Sequence, residues 1–306
     1  MIIMEDKFKK EAECFNTIAT DRNRNNQIPD LRVDFKNDYF YNNIWRDSRF
    51  LLEEYNPICQ WIIDSLKGVK AQSVVDLGCG VGFLSLELAR AGFNVTGLDL
   101  SEVSINLAKN YASKSKESLT LNYVCKNILD FDQYDETSVV SFGFMHHLPK
   151  EILKESLDKI YAKMQSRSVL LVVEPRYDYA NFNMAALIYA LRLSLPNHFQ
   201  HKGIEENANA NSDIHDIYRE LGELDHEQSE MDNESPSGFI VSAVKERFGN
   251  IELQYSTAFY DKIIGSIRAK DDDLGELSSL LKKLDNLIVK YNSNFARTVM
   301  IKAIKD

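Results

Sequence analysis

The stretch that decides the fold is Val74-Val75-Asp76-Leu77-Gly78-Cys79-Gly80-Val81-Gly82-Phe83. A short apolar run with two valines leads directly into glycines at alternate positions, and a segment of helical character follows. Glycine lets the backbone turn sharply and approach a ligand, and the start of a helix offers free N–H groups. The pattern therefore predicts a buried strand, a tight turn and a helix that together form one wall of a ligand site.

The spacing of the glycines distinguishes two kinds of ligand. A dinucleotide-binding turn has the pattern G-x-G-x-x-G, because a pyrophosphate lies on the helix start. Here the pattern is G-x-G-x-G, and Phe83 occupies the sixth position. Asp76 ends the strand, where its carboxylate would repel a phosphate but would suit a ligand that carries an ammonium group. A dehydrogenase is therefore the less favoured interpretation.

A second acidic residue ends the next predicted strand, in Asn94-Val95-Thr96-Gly97-Leu98-Asp99-Leu100-Ser101. A carboxylate at this point can accept hydrogen bonds from both hydroxyls of a ribose. The alternative is that Asp99 only caps the helix that follows. Ser101 is already well placed to cap that helix, which favours the ribose role for Asp99.

The wider sequence alternates short apolar runs with longer helical patterns, which is typical of βαβ units and a parallel sheet. Strands are predicted at 73–77, 94–98, 121–124, 139–144, 168–173, 251–255 and 297–303, and helices at 83–91, 101–111, 150–164, 181–195, 239–248 and 274–288. The alternation stops for about seventy residues after Pro175, where polar stretches occur at 205–211 and 223–234. This interruption is either a solvated insertion or a helical lid over a substrate site. Ser237 is predicted to cap the helix at 239–248.

These residues resemble the class I S-adenosylmethionine-dependent methyltransferases, chiefly over residues 61–173. The resemblance implies an α/β, Rossmann-like sheet of seven mostly parallel strands, with helices on both faces and an antiparallel last strand inside one edge. It also implies three regions: an N-terminal arm and helices that close over the cofactor (1–70), a methyltransferase core (71–176 and 250–306), and a helical cap insertion for substrate between the fifth and sixth strands (177–249).

The same resemblance implies the cofactor, S-adenosyl-L-methionine, its product S-adenosyl-L-homocysteine, and the residues that bind them. The glycines and Asp76 would hold the methionine end, Asp99 the ribose, and Leu100 the adenine face. Asn127 stands where the family usually has an acid, and its carbonyl can still accept from the adenine amino group. The full set of expected binding residues in the core is Asp76, Gly78, Cys79, Gly80, Gly82, Phe83, Asp99, Leu100, Asn127, Ile128 and Phe142.

Two histidines follow the fourth predicted strand, in Phe142-Gly143-Phe144-Met145-His146-His147-Leu148-Pro149. Many small-molecule members of the family have a similar His-His-Leu-Pro segment beside the transferable methyl group. Histidine is the side chain best suited to remove a proton at neutral pH, which makes His146 and His147 the candidate catalytic residues. The alternative is that one or both only pack or cap the next helix, and the sequence does not choose between the two.

Polar and aromatic residues outside the core are also candidates. Trp45 and Arg46 precede the fold, where an N-terminal segment could place an aromatic face and a guanidinium against the cofactor. Packing and a solvated charge are the alternative for both. Histidines His198 and His201 have a ligand-like spacing but lack a fixed third ligand nearby, so no metal is expected.

The overall composition limits the partners. The 306 residues carry 46 acidic and 36 basic side chains, a net charge of -10, which argues against broad nucleic-acid binding. The four cysteines are far apart, which excludes a disulfide scaffold and fits a cytoplasmic location. No apolar run is long enough to cross a bilayer and no signal peptide is recognised, so no membrane association is expected.

The sequence thus predicts an enzyme that methylates an oxygen or nitrogen atom of a small molecule, such as a metabolite, sugar or natural product. The alternatives are a protein or peptide methyltransferase and a non-catalytic cofactor-binding subunit. An open groove would favour a peptide, whereas a closed chamber would favour a small molecule. The oligomeric state does not follow from the sequence.

Overall fold

The structure is a computed structural model that describes residues 2–24, 51–135, 137–195, 214–222, 229–264 and 271–306. Four residues singled out by the sequence lie outside these ranges: Trp45, Arg46, His198 and His201.

The described residues form a seven-stranded sheet in the order β3-β2-β1-β4-β5-β7-β6. The strands are β1 (Ser73–Leu77), β2 (Asn94–Asp99), β3 (Leu121–Cys125), β4 (Thr137–Phe142), β5 (Val169–Pro175), β6 (Ile251–Ser256) and β7 (Thr298–Ile304). Strands β1 to β5 pair in parallel, and β7 runs antiparallel between β5 and β6. The predicted α/β class and the antiparallel strand inside one edge are confirmed.

Helices connect the strands and cover the sheet. They are α1 (Ile2–Arg24), α2 (Asn56–Gly68), α3 (Phe83–Arg90), α4 (Glu102–Ser113), α5 (Lys150–Lys163), α6 (Phe182–Ser194), α7 (Ile214–Leu221), α8 (Ser237–Phe248), α9 (Tyr260–Ile264) and α10 (Asp271–Tyr291). No helix among the described residues is long and apolar enough to span a membrane.

The core lies on both faces of the sheet because neighbouring strand residues point in opposite directions. Val74 packs with Ile62 and Leu66 of α2 on one face, whereas Val75 packs with Leu153 and Leu157 of α5 on the other. All six side chains are buried, and each such burial stabilises the fold by roughly 1.5–3 kcal/mol. This two-sided burial fixes β1, and with it the glycine turn that follows.

The two predicted helix caps had different outcomes. The Ser101 hydroxyl accepts a hydrogen bond from Ser104 N at 3.0 Å, so this cap is confirmed. The prediction for Ser237 is wrong, because α8 begins at Ser237 itself and its hydroxyl donates to Asp178 at 2.7 Å. Asp178 also accepts the N–H groups of Ser237 and Gly238. A carboxylate from another segment therefore serves the positive end of α8 in place of a local cap.

The chain between β5 and β6 contributes α6, α7 and α8 to the described structure. At the other end of the chain, α1 packs along α4, where Asn16 accepts hydrogen bonds from the Ser101 hydroxyl and from Val103 N. The N-terminal helix is thereby fixed next to the end of β2, at the edge of the sheet where the glycine turn lies.

Candidate active site

A cavity of about 580 Å³ lies at the carboxyl ends of β1, β2, β4 and β5. Successive strands are added to one side of β1 up to β3 and to the other side from β4 onward, and this switch point between β1 and β4 is the usual ligand position in open α/β sheets. The sequence-predicted residues that line it are Asp76, Gly78, Cys79, Gly80, Phe83, Asp99, Leu100, Asn127, Ile128, Phe142, His146 and His147. The fold therefore brings together residues that are spread over more than seventy positions of the chain.

Gly82 is the predicted binding residue of the core that does not line the cavity. Its φ of +85° is in the left-handed region, and a Cβ there would lie 2.3 Å from the Tyr123 hydroxyl. Ala108 of α4 is also in close range, at 3.0 Å. Gly82 is thus required for the close packing of the turn on β3 and α4.

Asp76 lies buried at the end of β1, where the Ser85 hydroxyl donates a hydrogen bond to it at 2.5 Å. Burial raises the pKa of the Asp76 carboxyl to about 7, the negative charge of Asp99 adds to this rise, and the Ser85 hydrogen bond opposes it. Near neutral pH the group is therefore divided between its neutral and ionised forms. A cationic ligand in the cavity would favour the ionised form.

Asp99 connects the glycine turn to the start of α4. One carboxylate oxygen accepts from Gly80 N at 2.8 Å, and the other accepts from Ser101 N at 2.8 Å. Burial raises the pKa of Asp99, and these N–H donors oppose that rise. Each carboxylate oxygen has more than one lone pair, so both can still accept from a ligand in the cavity. This arrangement is compatible with the ribose role predicted for Asp99.

Asn127 follows β3, and its side-chain carbonyl accepts from Leu129 N at 3.0 Å. This bond caps the short 3-10 turn Ile128–Asp130 and fixes the side chain. The carbonyl oxygen retains a second lone pair, and the amide group can donate. Asn127 can therefore contact a base that lies between Leu100 and Ile128.

The two histidines lie in a 3-10 turn directly after β4, and both are buried. His146 Nδ1 lies 2.6 Å from one carboxylate oxygen of Glu174, at the end of β5. The other Glu174 oxygen accepts from Phe144 N and Met145 N at 3.1 and 2.7 Å. Glu174 therefore holds the turn and favours a proton on Nδ1 of His146, which leaves its Nε2 as the basic nitrogen.

His147 is held by a different element, helix α1. Its Nδ1 lies 3.1 Å from a carboxylate oxygen of Glu11 in α1, and its ring makes an edge contact with Phe15 at 5.2 Å between centroids. Ser229 donates to the same Glu11 oxygen at 2.9 Å. Both histidines line the cavity, and each is held by a carboxylate from a different element, β5 or α1.

Sequence reasoning missed three acidic residues at this site: Glu174, Glu11 and Asp232, whose Oδ1 lies 3.5 Å from His146 Nε2. Glu174 ends a buried strand, as Asp76 and Asp99 do, and the same rule would have identified it. The other two come from distant segments, and no local pattern in the sequence indicates their position.

The fold and this site define a class of protein. Residues 74–166 match the family model described as a methyltransferase domain. This match, the sheet order and the glycine turn identify the region as a class I S-adenosylmethionine-dependent methyltransferase domain.

The curated relatives match over the same region. The ubiquinone biosynthesis O-methyltransferase of Coxiella burnetii is 36% identical over 96 residues, which are 31% of this chain and 40% of that protein. The protein of the same description from Cupriavidus pinatubonensis is 31% identical over 99 residues, which are 32% of this chain and 40% of that protein. The chain thus spans about two fifths of the length of these relatives.

Among solved structures, the magnesium protoporphyrin IX methyltransferase of Synechocystis PCC 6803 with bound SAH is similar in fold. The TM-score is 0.53 at 14% identity, over 98% of this chain and 100% of that one. The likeness extends beyond the residues matched by the family model.

Proposed function

We propose that this protein transfers a methyl group from S-adenosylmethionine to an oxygen or nitrogen atom of a small molecule. The observation that carries the proposal is the single cavity in which the glycine turn, Asp99 and the histidine pair meet. The names of the relatives, which describe methyl transfer in ubiquinone biosynthesis and a methyltransferase for magnesium protoporphyrin IX, support a small-molecule acceptor.

The cofactor's place follows from the polar groups. Asp99 accepts from the ribose hydroxyls, and Leu100, Asn127 and Ile128 surround the adenine at the ends of β2 and β3. Asp76 and the turn at Gly78 and Gly80 hold the methionine end. This orientation directs the methyl group toward the turn after β4, where the histidines lie.

The acceptor side of the cavity supports a small molecule rather than a peptide. Its lining includes Phe8 and Phe15 of α1, Tyr177 after β5, and Met231 in the segment before α8. These residues come from the N-terminal region 1–70 and from the insertion 177–249, and we assign both regions to closure over the cofactor and the acceptor. Walls from both of these regions favour a small molecule, whereas a peptide would need an open groove.

The reaction is a direct displacement, in which the acceptor's lone pair attacks the methyl carbon and the bond from carbon to sulfur breaks. S-Adenosylhomocysteine leaves, and the acceptor loses one proton. Nε2 of His146 takes that proton in the simplest mechanism, because Glu174 holds Nδ1 and stabilises the imidazolium that forms. His147 is the second candidate, with Glu11 in the corresponding role. The alternative of a non-catalytic cofactor-binding subunit gives these buried pairs no function.

The experiment is incubation of the purified protein with methyl-labelled cofactor and a small-molecule extract of its host, followed by mass spectrometry. We expect a labelled small molecule with the wild-type protein. The His146→Ala, His147→Ala double variant should lose about 10²–10⁴-fold in turnover, the usual contribution of a general base, and should still bind S-adenosylhomocysteine. The His215→Ala variant is the matched control and should behave as wild type, because the His215 side chain is exposed and does not line the cavity. Label found only in protein would contradict the small-molecule proposal.

A further inference from the structure

An unusual group of charges lies at the acceptor side of the cavity. Three buried carboxylates, Glu11, Glu174 and Asp232, surround the buried rings of His146 and His147. If both imidazoles were neutral, these five groups would carry three negative charges, and one would remain even if both were protonated. Buried charge of one sign is costly unless a cation compensates it. The group therefore favours a bound cation.

The geometry fits a metal ion. One ring nitrogen of each histidine and one oxygen of Asp232 lie within 4.8 Å of one another. His146 Nε2 and Asp232 Oδ1 are 3.5 Å apart, which is long for a hydrogen bond. Metal–ligand bonds of about 2.0–2.1 Å in a tetrahedron place two ligand atoms about 3.3 Å apart. The observed separation is therefore close to that of two ligands of one ion.

The surroundings of the histidines have the pattern of a metal site as well. A histidine ligand almost always donates its other ring nitrogen's hydrogen to a carboxylate, carbonyl or water. His146 Nδ1 is held by Glu174 and His147 Nδ1 by Glu11, so Nε2 is the nitrogen of each ring that can bind an ion. Among the described residues, no hydrogen-bond partner is found for the buried Glu11 Oε2, a further oxygen close to the pair.

We propose that His146, His147 and Asp232 bind a divalent transition-metal ion at the acceptor side of the cavity. Two imidazoles and one carboxylate suit zinc, iron, cobalt or manganese, whereas magnesium and calcium prefer oxygen ligands alone. Three protein ligands leave positions open, and because both histidines line the cavity, an acceptor oxygen or nitrogen can reach them. No metal was expected from the spacing of His198 and His201, and that expectation did not consider a site that combines His146 and His147 with the distant Asp232.

The role of the ion rests on the proposed function, but its binding does not. A histidine that coordinates an ion through Nε2 does not take a proton there. The ion would then position the acceptor and lower the pKa of its reacting group, in place of a free base. Metal binding and cofactor binding use different residues, so the two claims can fail separately.

The test uses the full chain, stripped of metal with a chelator and titrated with Co²⁺, whose visible absorption reports imidazole and carboxylate ligands. We expect one equivalent to bind to the wild-type protein and to the His215→Ala control. Asp232→Asn and His147→Ala should each reduce the affinity at least tenfold. Glu174→Gln keeps an oxygen that can accept from Phe144 N and Met145 N but replaces the carboxylate beside His146 Nδ1, and it should reduce the affinity about 10–100-fold.

A thermal melt of each variant, followed by circular dichroism, separates lost ligands from lost fold. If a variant does not fold, the titration of the wild-type protein still tests the proposal. A wild-type protein that gives no cobalt spectrum at one equivalent would overturn the metal site. Equal cobalt affinity in wild type and folded Asp232→Asn would overturn the assigned ligands. Binding of S-adenosylhomocysteine is measured on the same samples. If it binds and cobalt does not, the methyltransferase proposal stands without the metal.

Discussion

Replacement of Asp99 by alanine should weaken cofactor binding more than any other single change at the adenosine end. Both carboxylate oxygens are fixed by N–H donors, from Gly80 and Ser101, so the side chain is oriented before a ligand arrives. Hydrogen bonds to a charged group contribute about 1.5–3 kcal/mol each. Loss of two ribose bonds would cost about 3–6 kcal/mol, or about 10²–10⁴-fold in Kd at about 1.4 kcal/mol per tenfold.

The assay is isothermal titration of S-adenosylhomocysteine into wild type and variants. Asp99→Asn is the matched variant, because it keeps the size and one acceptor oxygen and should lose about half as much free energy. Glu102→Ala is the control. Glu102 is exposed at the start of α4, so the variant should leave Kd unchanged. Asp99→Ala also leaves two N–H groups without their acceptor, so its fold is checked by thermal unfolding. An unchanged Kd in folded Asp99→Ala would refute the ribose assignment.

Three further predictions concern stability. Gly82→Ala should lower Tm more than Gly92→Ala. Both glycines have positive φ, but only at Gly82 would a Cβ clash with Tyr123. Differential scanning calorimetry compares the two variants, and equal losses of Tm would contradict the packing argument. Folding raises the pKa of Asp76 from 3.8 to about 7. The contribution of Asp76 to the free energy of unfolding therefore falls as the pH rises between these two values, by up to about 4 kcal/mol. Asp76→Asn should remove this fall, measured by urea unfolding at about pH 4 and about pH 8; an identical pH dependence in the two proteins would contradict it. Lys282→Met should lower the free energy of unfolding, measured with urea, by about 3–5 kcal/mol, because it leaves the buried carboxylates of Glu54 and Asp285 without their shared cation. A loss below about 1 kcal/mol would contradict that pairing.

The sheet could be predicted because its strands are short apolar runs separated by helical patterns. β1 shows why: Val74 and Val75 are buried on opposite faces, which requires apolar residues at consecutive positions. Asp76 and Asp99 could also be placed, since the carboxyl ends of parallel strands meet at one edge. The strand at 168–173 was predicted to end just before Glu174, whereas β5 extends to Pro175 and includes that acid.

The partners of the histidines could not be predicted, because they depend on contacts between distant segments. Glu11 reaches His147 only after α1 has packed along α4, through Asn16 and the cap of α4. The chain at Asp232 is held by Ser235, whose N–H donates to the His146 carbonyl and whose hydroxyl donates to Leu148. These contacts have no periodicity or spacing in the sequence. The same reason applies to Asp178, which replaced the cap expected from Ser237.

The most direct test of the account is calorimetric titration of the wild-type protein with S-adenosylhomocysteine and, separately, with NAD. The glycine turn, the buried Asp76 and the oriented Asp99 predict one equivalent of S-adenosylhomocysteine and no heat of binding from NAD. Binding of NAD without binding of S-adenosylhomocysteine would contradict the central claim.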